Sequence, residues 1–129
     1  MGRSLLAPAT AVCLGLLAIG PALAAEPAMI METPKGNALV DASGMTLYVF
    51  AKDAPGKSAC AAACAKNWPP LKAGMDAKAM GAWTLVTRDD GTMQWAYKGK
   101  PLYHFAKDQK PGEAMGDGLL DGAWSVARP

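Results

Sequence analysis

The sequence of 129 residues has little of what metal enzymes, disulfide scaffolds and nucleic-acid-binding proteins need. It contains one histidine and three cysteines, too few for a multi-histidine metal enzyme or a dense disulfide framework. Charged residues make up 19%, the formal net charge is +2, and no basic stripe stands out. Nucleic acid is therefore not an expected partner, because phosphate binding needs clustered cations.

The usual catalytic patterns are missing as well. Ser43, Ser58 and Ser125 do not lie in a nucleophile-elbow pattern. Asp89-Asp90 belongs to a predicted hairpin turn, and the late glycines lack the strand-to-helix context of a phosphate loop. We therefore expect a protein that is not an enzyme. Its hydrophobic content of 51% argues against disorder throughout.

Residues 1–25 have the pattern of a secretory signal peptide. Arg3 precedes an apolar run over residues 5–19, and small residues follow at 21–24. The apolar run is short for a membrane span. We expect cleavage near Ala24 or Ala25, which leaves residues 26–129 as one exported domain, periplasmic or secreted.

Cys13 does not change that expectation. A lipid-modified cysteine would follow a small residue at the cleavage junction, whereas Cys13 follows Val12 inside the apolar run. We therefore expect no stable membrane anchor. The mature chain then holds Cys60 and Cys64 as its only cysteines, in an oxidising compartment.

An internal repeat organises the mature chain. The segment 47–53 recurs at 102–108 with six of seven residues identical. Trp68 corresponds to Trp124, and the spacing between these two residues is one residue greater than the spacing between the two copies of the segment. The two copies span about 38–71 and 92–127. This duplication predicts one domain built from two related units.

Strand signals dominate both units. Over residues 45–50 the side chains alternate, so that Tyr48 and Phe50 share one face while Leu47 and Val49 share the other. Further strands are expected at 38–40, 83–87, 92–97, 102–105 and 123–126. We predict an all-β fold in which two β-units form one small sandwich or barrel-like body.

One segment departs from the strand pattern. Residues 58–67 are rich in alanine, with Ser58 as a candidate N-cap and Pro69-Pro70 as a stop, which predicts a short helix. Residues 110–122 contain four glycines and are predicted to form a long loop.

Cys60 and Cys64 have three possible roles: a disulfide, a metal site or a redox pair. Export favours the disulfide. In a regular helix, residues four apart have Cβ atoms about 5–6 Å from each other, whereas a disulfide needs about 3.8 Å. A bridge therefore requires the segment to depart from regular helix near Cys60.

The repeated motif residues are expected to be structural. Alternating aromatic residues on strands are typical of a core, and Asp53 and Asp108 can accept backbone N–H bonds just after their strands. The residues assigned to this role are Tyr48, Phe50, Asp53, Trp68, Tyr103, Phe105, Asp108 and Trp124. The alternative is an aromatic-lined pocket for a flat ligand.

The doubled Tyr-x-Phe-x-x-Asp motif, with Cys60-x-x-x-Cys64 and Trp68-Pro69-Pro70-Leu71, resembles a bacterial family of secreted repeats of unknown function. The family is often described as predicted lipoproteins with a Yx(F/W/Y)xxD motif. The resemblance covers nearly the whole mature chain and implies export, but it implies no reaction. Membrane anchoring does not carry over, since the lipid-attachment cysteine is missing here.

Copper is an alternative ligand. Thioether sulfur and a single imidazole suit Cu(I) in an oxidising compartment. The candidate ligands are His104, Met29, Met31, Met93 and Met115. The structural interpretation is that methionines fill gaps in the core. His104 would then be an ordinary strand residue at the position that Val49 has in the first repeat. No cofactor is expected on that interpretation.

We therefore expect a non-enzymatic cell-envelope or secreted protein that binds a partner protein or a small ligand. Periplasmic copper or redox handling is the alternative. A small inhibitor of an extracellular enzyme is a further one, and it would need an exposed loop such as 110–122.

Overall fold

The computed structural model describes residues 26–129, so the expected signal peptide lies outside the described residues. Within them the chain forms eight strands and two short helices. In chain order these are β1 Met29–Thr33, β2 Gly36–Val40, β3 Tyr48–Phe50, α1 Ala63–Asn67, β4 Lys72–Ala73, β5 Trp83–Thr87, β6 Met93–Tyr97, β7 Lys100–Pro101, α2 Leu119–Gly122 and β8 Trp124–Val126.

All strand pairs are antiparallel, and the sheets are small. Strands β1 and β2 form a hairpin, β3 pairs with β8, and β6 lies between β4 and β5 while also pairing with β7. The prediction of an all-β fold from two related units is confirmed. Within residues 26–129 the sheets do not close into a barrel.

The motif segment of each repeat pairs with the C-terminal end of the other repeat. The motif strand of the first repeat pairs with the end of the second, with Phe50 opposite Trp124. Likewise the motif segment of the second repeat pairs with the end of the first, since the His104 amide donates to the Pro69 carbonyl at 2.7 Å. Matching backbone bonds of this kind show that the sequence duplication is also a structural one.

The predicted alternation of side chains separates two hydrophobic clusters. One cluster contains Leu47 and Leu102, and Val49 packs against it. The other contains Tyr48 and Tyr103, with Phe50 packed against it. Strand β3 and the equivalent segment 102–105 therefore lie between two cores and present an apolar face to each, as period-two side-chain geometry requires. The strand predicted at 102–105 is not formed, because there only Tyr103 pairs, through isolated bridges to Tyr48 and Pro70.

The predicted helix over 58–67 is too long at its N-terminal end. Helix α1 begins only at Ala63, and its N-cap position is Ala62, which has a φ of 49° and no side-chain cap. Ser58 is therefore not the cap; its hydroxyl binds Tyr103 Oη at 2.6 Å instead. The predicted loop 110–122 ends in α2, a helical turn interrupted by left-handed residues.

Four aromatic rings form a continuous stack through the second cluster. Trp68 and Trp124 lie face to face, with ring centroids 3.7 Å apart. Phe50 stacks on Trp124 at 4.1 Å, and Phe105 stacks on Trp68 at 4.3 Å. Each phenylalanine thus packs on the tryptophan of the other repeat.

Gly116 makes room for this stack. A Cβ atom at Gly116 would lie 2.5 Å from Trp68 Cη2 and 3.0 Å from Phe105 Cδ2. Both rings are held by the stack and cannot move away. Only glycine fits this position, which corresponds to Cys60 in the first repeat.

Replacing Phe105 by alanine should lower the free energy of unfolding by about 3–5 kcal/mol, because a buried ring is lost from a closely packed stack. The equivalent Phe50 is only half-buried, so Phe50→Ala should cost less. Urea denaturation of both variants measures the difference. Equal small losses would show that the stack contributes little to stability.

Candidate functional site

The motif residues form two reciprocal hydrogen bonds between the repeats. Tyr48 Oη donates to Asp108 Oδ2 at 2.6 Å, and Tyr103 Oη donates to Asp53 Oδ2 at 2.7 Å. The same two tyrosines also exchange backbone bonds, at 2.8 and 3.0 Å. The motif therefore joins the repeats to each other, a role that its spacing within one repeat does not reveal.

Each aspartate also holds the turn that follows its strand. The second oxygen of Asp53 accepts the Ala59 amide at 2.6 Å, and that of Asp108 accepts the Met115 amide at 2.8 Å. Burial raises the pKa of both carboxyls above its ordinary value. The Tyr48–Asp108 bond is buried and the Tyr103–Asp53 bond is partly buried, and each carboxylate oxygen accepts one hydrogen bond from within the protein.

The tyrosine hydroxyls retain their protons strongly. Burial and the bond to Asp108 raise the pKa of Tyr48. Burial raises the pKa of Tyr103 to about 12, and Asp53 contributes in the same direction. A phenol that stays protonated donates to its carboxylate and is unsuited to act as a nucleophile or a metal ligand at neutral pH.

Arg88 is a buried cation that the sequence reasoning missed. Its guanidinium donates to Gln94 Oε1 at 2.7 Å, to Ser58 Oγ at 3.1 Å and to the Cys60 carbonyl. It ties the cysteine segment to β6. No sequence signal distinguishes it, because it follows an ordinary strand and precedes an ordinary turn.

Cys60 and Cys64 are joined in a disulfide, as predicted, with Cα atoms 5.2 Å apart. Cys60 is fully buried and precedes the helix, while Cys64 lies within it. The departure from regular helix that the bridge requires is therefore present. In the bridged form neither sulfur is a thiolate, so neither can bind copper or start thiol exchange.

The copper candidates do not fill the core. Met29 and Met115 are exposed, by 51% and 60%, and Met31 and Met93 are half-buried. His104 Nε2 lies 2.8 Å from Asp41 Oδ2. Within residues 26–129 no three His, Cys, Asp or Glu side chains form a metal-holding group. Copper binding through these methionines stays a prediction.

A cleft opens beside the exposed edge of Phe50. Its volume is about 390 Å³, and its walls are the segment after β3, the β6–β7 turn and the turn around Pro55. The lining residues are Val49, Phe50, Ala51, Asp53, Ala54, Pro55, Lys98, Gly99, Lys100, Pro101 and Ser125. Among these residues the sequence offered only Phe50 for ligand binding, as part of an aromatic-lined pocket for a flat ligand.

A second feature is an exposed apolar turn at α2. Leu119 is 41% exposed and Leu120 is 67% exposed. Leu120 and Asp121 both have a φ of 54°, in the left-handed region. The two leucines border a hollow that also touches Trp68 and Phe105.

The comparison with family models matches this structural division. A model described as a secreted repeat of unknown function matches twice, over residues 29–72 and 84–128. The chain belongs to this secreted-repeat family. Comparisons with curated proteins and with solved structures found no significant match.

Both family matches coincide with a structural repeat. The first runs from β1 to the first residue of β4, and the second runs from the second residue of β5 past the end of β8. Each therefore contains one hairpin, one Tyr-x-Phe-x-x-Asp motif and one short helix. No helix among residues 26–129 is long and apolar enough to cross a membrane.

Raising the pH from about 10 to about 12 should destabilise the protein through Tyr103. Its pKa is 10.0 in an ordinary environment and about 12 when folded, so the stabilisation is complete below pH 10 and is lost as the pH rises through 12. Urea unfolding across this range measures the loss. Tyr103→Phe should show a smaller loss, and tyrosinate absorbance that appears in the wild type near pH 10 for this residue would contradict the argument.

Proposed function

We propose that this protein is a non-catalytic exported protein of the cell envelope that binds a small ligand in the cleft beside Phe50. The family is described as secreted, which supports export. We place the mature protein in the periplasm or outside the cell, after cleavage near Ala24 or Ala25.

The cleft is the observation that carries this proposal. Ligand pockets usually enclose about 300–1,000 Å³, with mostly apolar walls and a few polar groups. The cleft has a volume of about 390 Å³ with Val49, Phe50 and two prolines among its walls. Its polar side chains are those of Asp53, Lys98, Lys100 and Ser125.

The cleft exists because β3 and β7 diverge from each other. Tyr48 and Tyr103 form the bridge between the repeats, but beyond it β3 pairs with β8 while β7 pairs with β6. The Gly56 amide donates to the Gly99 carbonyl at 2.9 Å and joins the turn around Pro55 to the β6–β7 turn on the far side of the cleft. A cavity with such walls is largely preformed, which lowers the entropic cost of binding.

The chemistry of the walls supports binding rather than catalysis. Asp53 is the acid among the lining residues, and its carboxylate already accepts hydrogen bonds from Tyr103 and Ala59. A general base needs a free lone pair within reach of substrate. Each oxygen of the Asp53 carboxylate keeps a second lone pair, but the bonds from Tyr103 and Ala59 hold the group in the contact between the repeats, which favours a structural role for it over that of a general base.

Binding in the cleft should be blocked by filling it. Ala54 is exposed on the cleft wall, so Ala54→Trp should place an indole in the space that a ligand would occupy. We expect small aromatic compounds to shift the amide resonances of Phe50, Gly99 and Ser125 in nitrogen-15 spectra of the wild type, but not of Ala54→Trp.

Ala63→Trp is the matched control, because Ala63 is exposed on α1 outside the cleft. It should bind like the wild type. Shifts confined to another surface, or equal binding by Ala54→Trp, would refute the cleft as the binding site.

Partner binding through the α2 turn is a second candidate function, and the exposed leucines favour it. A left-handed backbone costs an L-residue about 1–2 kcal/mol, and Leu120 gains no burial in return. Strained, exposed apolar residues are typical of recognition loops. This is the location that an inhibitor of an extracellular enzyme would use.

Replacing Leu120 by glycine should stabilise the protein by about 1 kcal/mol, because glycine adopts the left-handed conformation without strain. The same change should abolish inhibition of any secreted hydrolase that the wild type inhibits. Thermal unfolding and an inhibition panel measure the two effects. Inhibition that survives in Leu120→Gly would exclude this turn as the contact.

A further inference from the structure

We infer that the ligand of the cleft is a small organic anion, whose charged group is held by Lys98 and Lys100 while its apolar body lies against Phe50. This inference rests on the proposed function and specifies the chemical class of its ligand. Three observations support it: the charges around the cleft, the backbone of Lys98, and a comparison of the two repeats.

The charges around the cleft are mostly positive. A second hollow of about 220 Å³ shares Val49, Lys98, Lys100 and Ser125 with the cleft and extends it to Arg128. Three cations therefore line the joined groove. The acid among its lining residues is Asp53, which is bound to Tyr103 and to the Ala59 amide. Such a groove attracts anions.

The backbone at Lys98 is unfavourable for lysine. Lys98 and Gly99 form the two-residue turn between the paired residues Tyr97 and Lys100, and their φ angles are 52° and 83°. Turns with two positive φ angles favour asparagine followed by glycine. Lys98 is exposed, with its ammonium 5.2 Å from the centre of the Tyr97 ring. A backbone preference therefore does not account for lysine here, and its ammonium lies over the Tyr97 ring beside the cleft.

The first repeat provides an internal comparison for the glycine of this turn. Gly99 corresponds to Gly44, and both have a positive φ, of 83° and 87°. A Cβ atom at Gly44 would lie 3.0 Å from Pro111 Cβ, whereas one at Gly99 would lie 4.0 Å from Pro55 Cβ. The space between turn and proline is thus packed in one half and open in the other.

The side chains around the two turns also differ, with lysines at the open turn but not at the packed one. Lys98 and Lys100 are replaced by Ser43 and Met45 at the packed turn. Val49 on the cleft wall corresponds to His104, which is paired with Asp41 at 2.8 Å. The packed half thus carries a hydrogen-bonded His104–Asp41 pair, whereas the open half carries the exposed side chains of Lys98 and Lys100.

Three naphthalene probes of similar shape test the charge requirement on the mature protein. These are 2-naphthoate, 2-naphthylmethanol and a 2-naphthyl trimethylammonium salt, titrated while the amide shifts of Phe50, Gly99 and Ser125 are followed. We expect the anion to bind at least about fivefold more tightly than the alcohol. Its advantage should shrink at about 0.5 M salt, because exposed charges are screened.

Two variants then assign the charge to named residues. Lys98→Asn keeps the turn, since asparagine favours this backbone, and should leave the melting temperature unchanged or higher while weakening naphthoate about fivefold. Lys100→Ala should weaken it to a similar extent. Lys78→Ala removes an exposed lysine elsewhere and should leave the affinity unchanged.

The outcomes separate the two proposals. Equal affinity for naphthoate and naphthylmethanol would overturn the anion while leaving the cleft as a binding site. Unchanged naphthoate affinity in both Lys98→Asn and Lys100→Ala would overturn the assignment of these lysines. The absence of shifts at the cleft amides with every probe would overturn the cleft itself, and with it this inference.

Discussion

The paired tyrosines at the centre of the molecule are the contact on which the rest of the structure depends. Tyr48 and Tyr103 exchange backbone hydrogen bonds, and each hydroxyl donates to the aspartate of the other repeat. Neither repeat alone can satisfy these groups. A buried hydroxyl or carboxylate without its partner costs about 1–3 kcal/mol or more, so the two repeats are expected to fold as one unit.

The aromatic stack adds dispersion and apolar burial to this polar pairing. Trp124 is fully buried, and within the described residues its indole nitrogen has no hydrogen-bond partner. Its position is therefore fixed by ring contacts, with Trp68 at 3.7 Å and Phe50 at 4.1 Å. This packing in turn requires glycine at position 116, where the first repeat has Cys60. The repeats thus share the motif contacts but differ at this position, where one has a disulfide cysteine and the other a glycine.

The two repeats differ in their surface residues rather than in their motif residues. A duplicated backbone needs the same core twice, and the motif residues supply it in both halves. Surface residues have no such constraint. They differ at the equivalent turns at Gly44 and Gly99: the Gly44 turn is packed against Pro111, whereas the Gly99 turn borders the cleft with Lys98 and Lys100. A second difference lies at the helices: a disulfide ties Cys64 of α1 to Cys60, whereas α2 carries the exposed Leu119 and Leu120, of which Leu120 has a left-handed backbone.

The sequence by itself determined the duplication, the strand class and the alternation of the motif strands. These follow from local periodicity and from the near-identity of 47–53 with 102–108, and they need no knowledge of distant contacts. The start of α1 was misjudged because alanine content predicts helix, whereas the disulfide and the Ser58–Tyr103 bond impose a different backbone. Only the tertiary structure decided which aspartate binds which tyrosine, because the exchange joins residues 50 to 60 positions apart. It alone also revealed the cleft and the role of Arg88, since both arise where segments from different repeats meet.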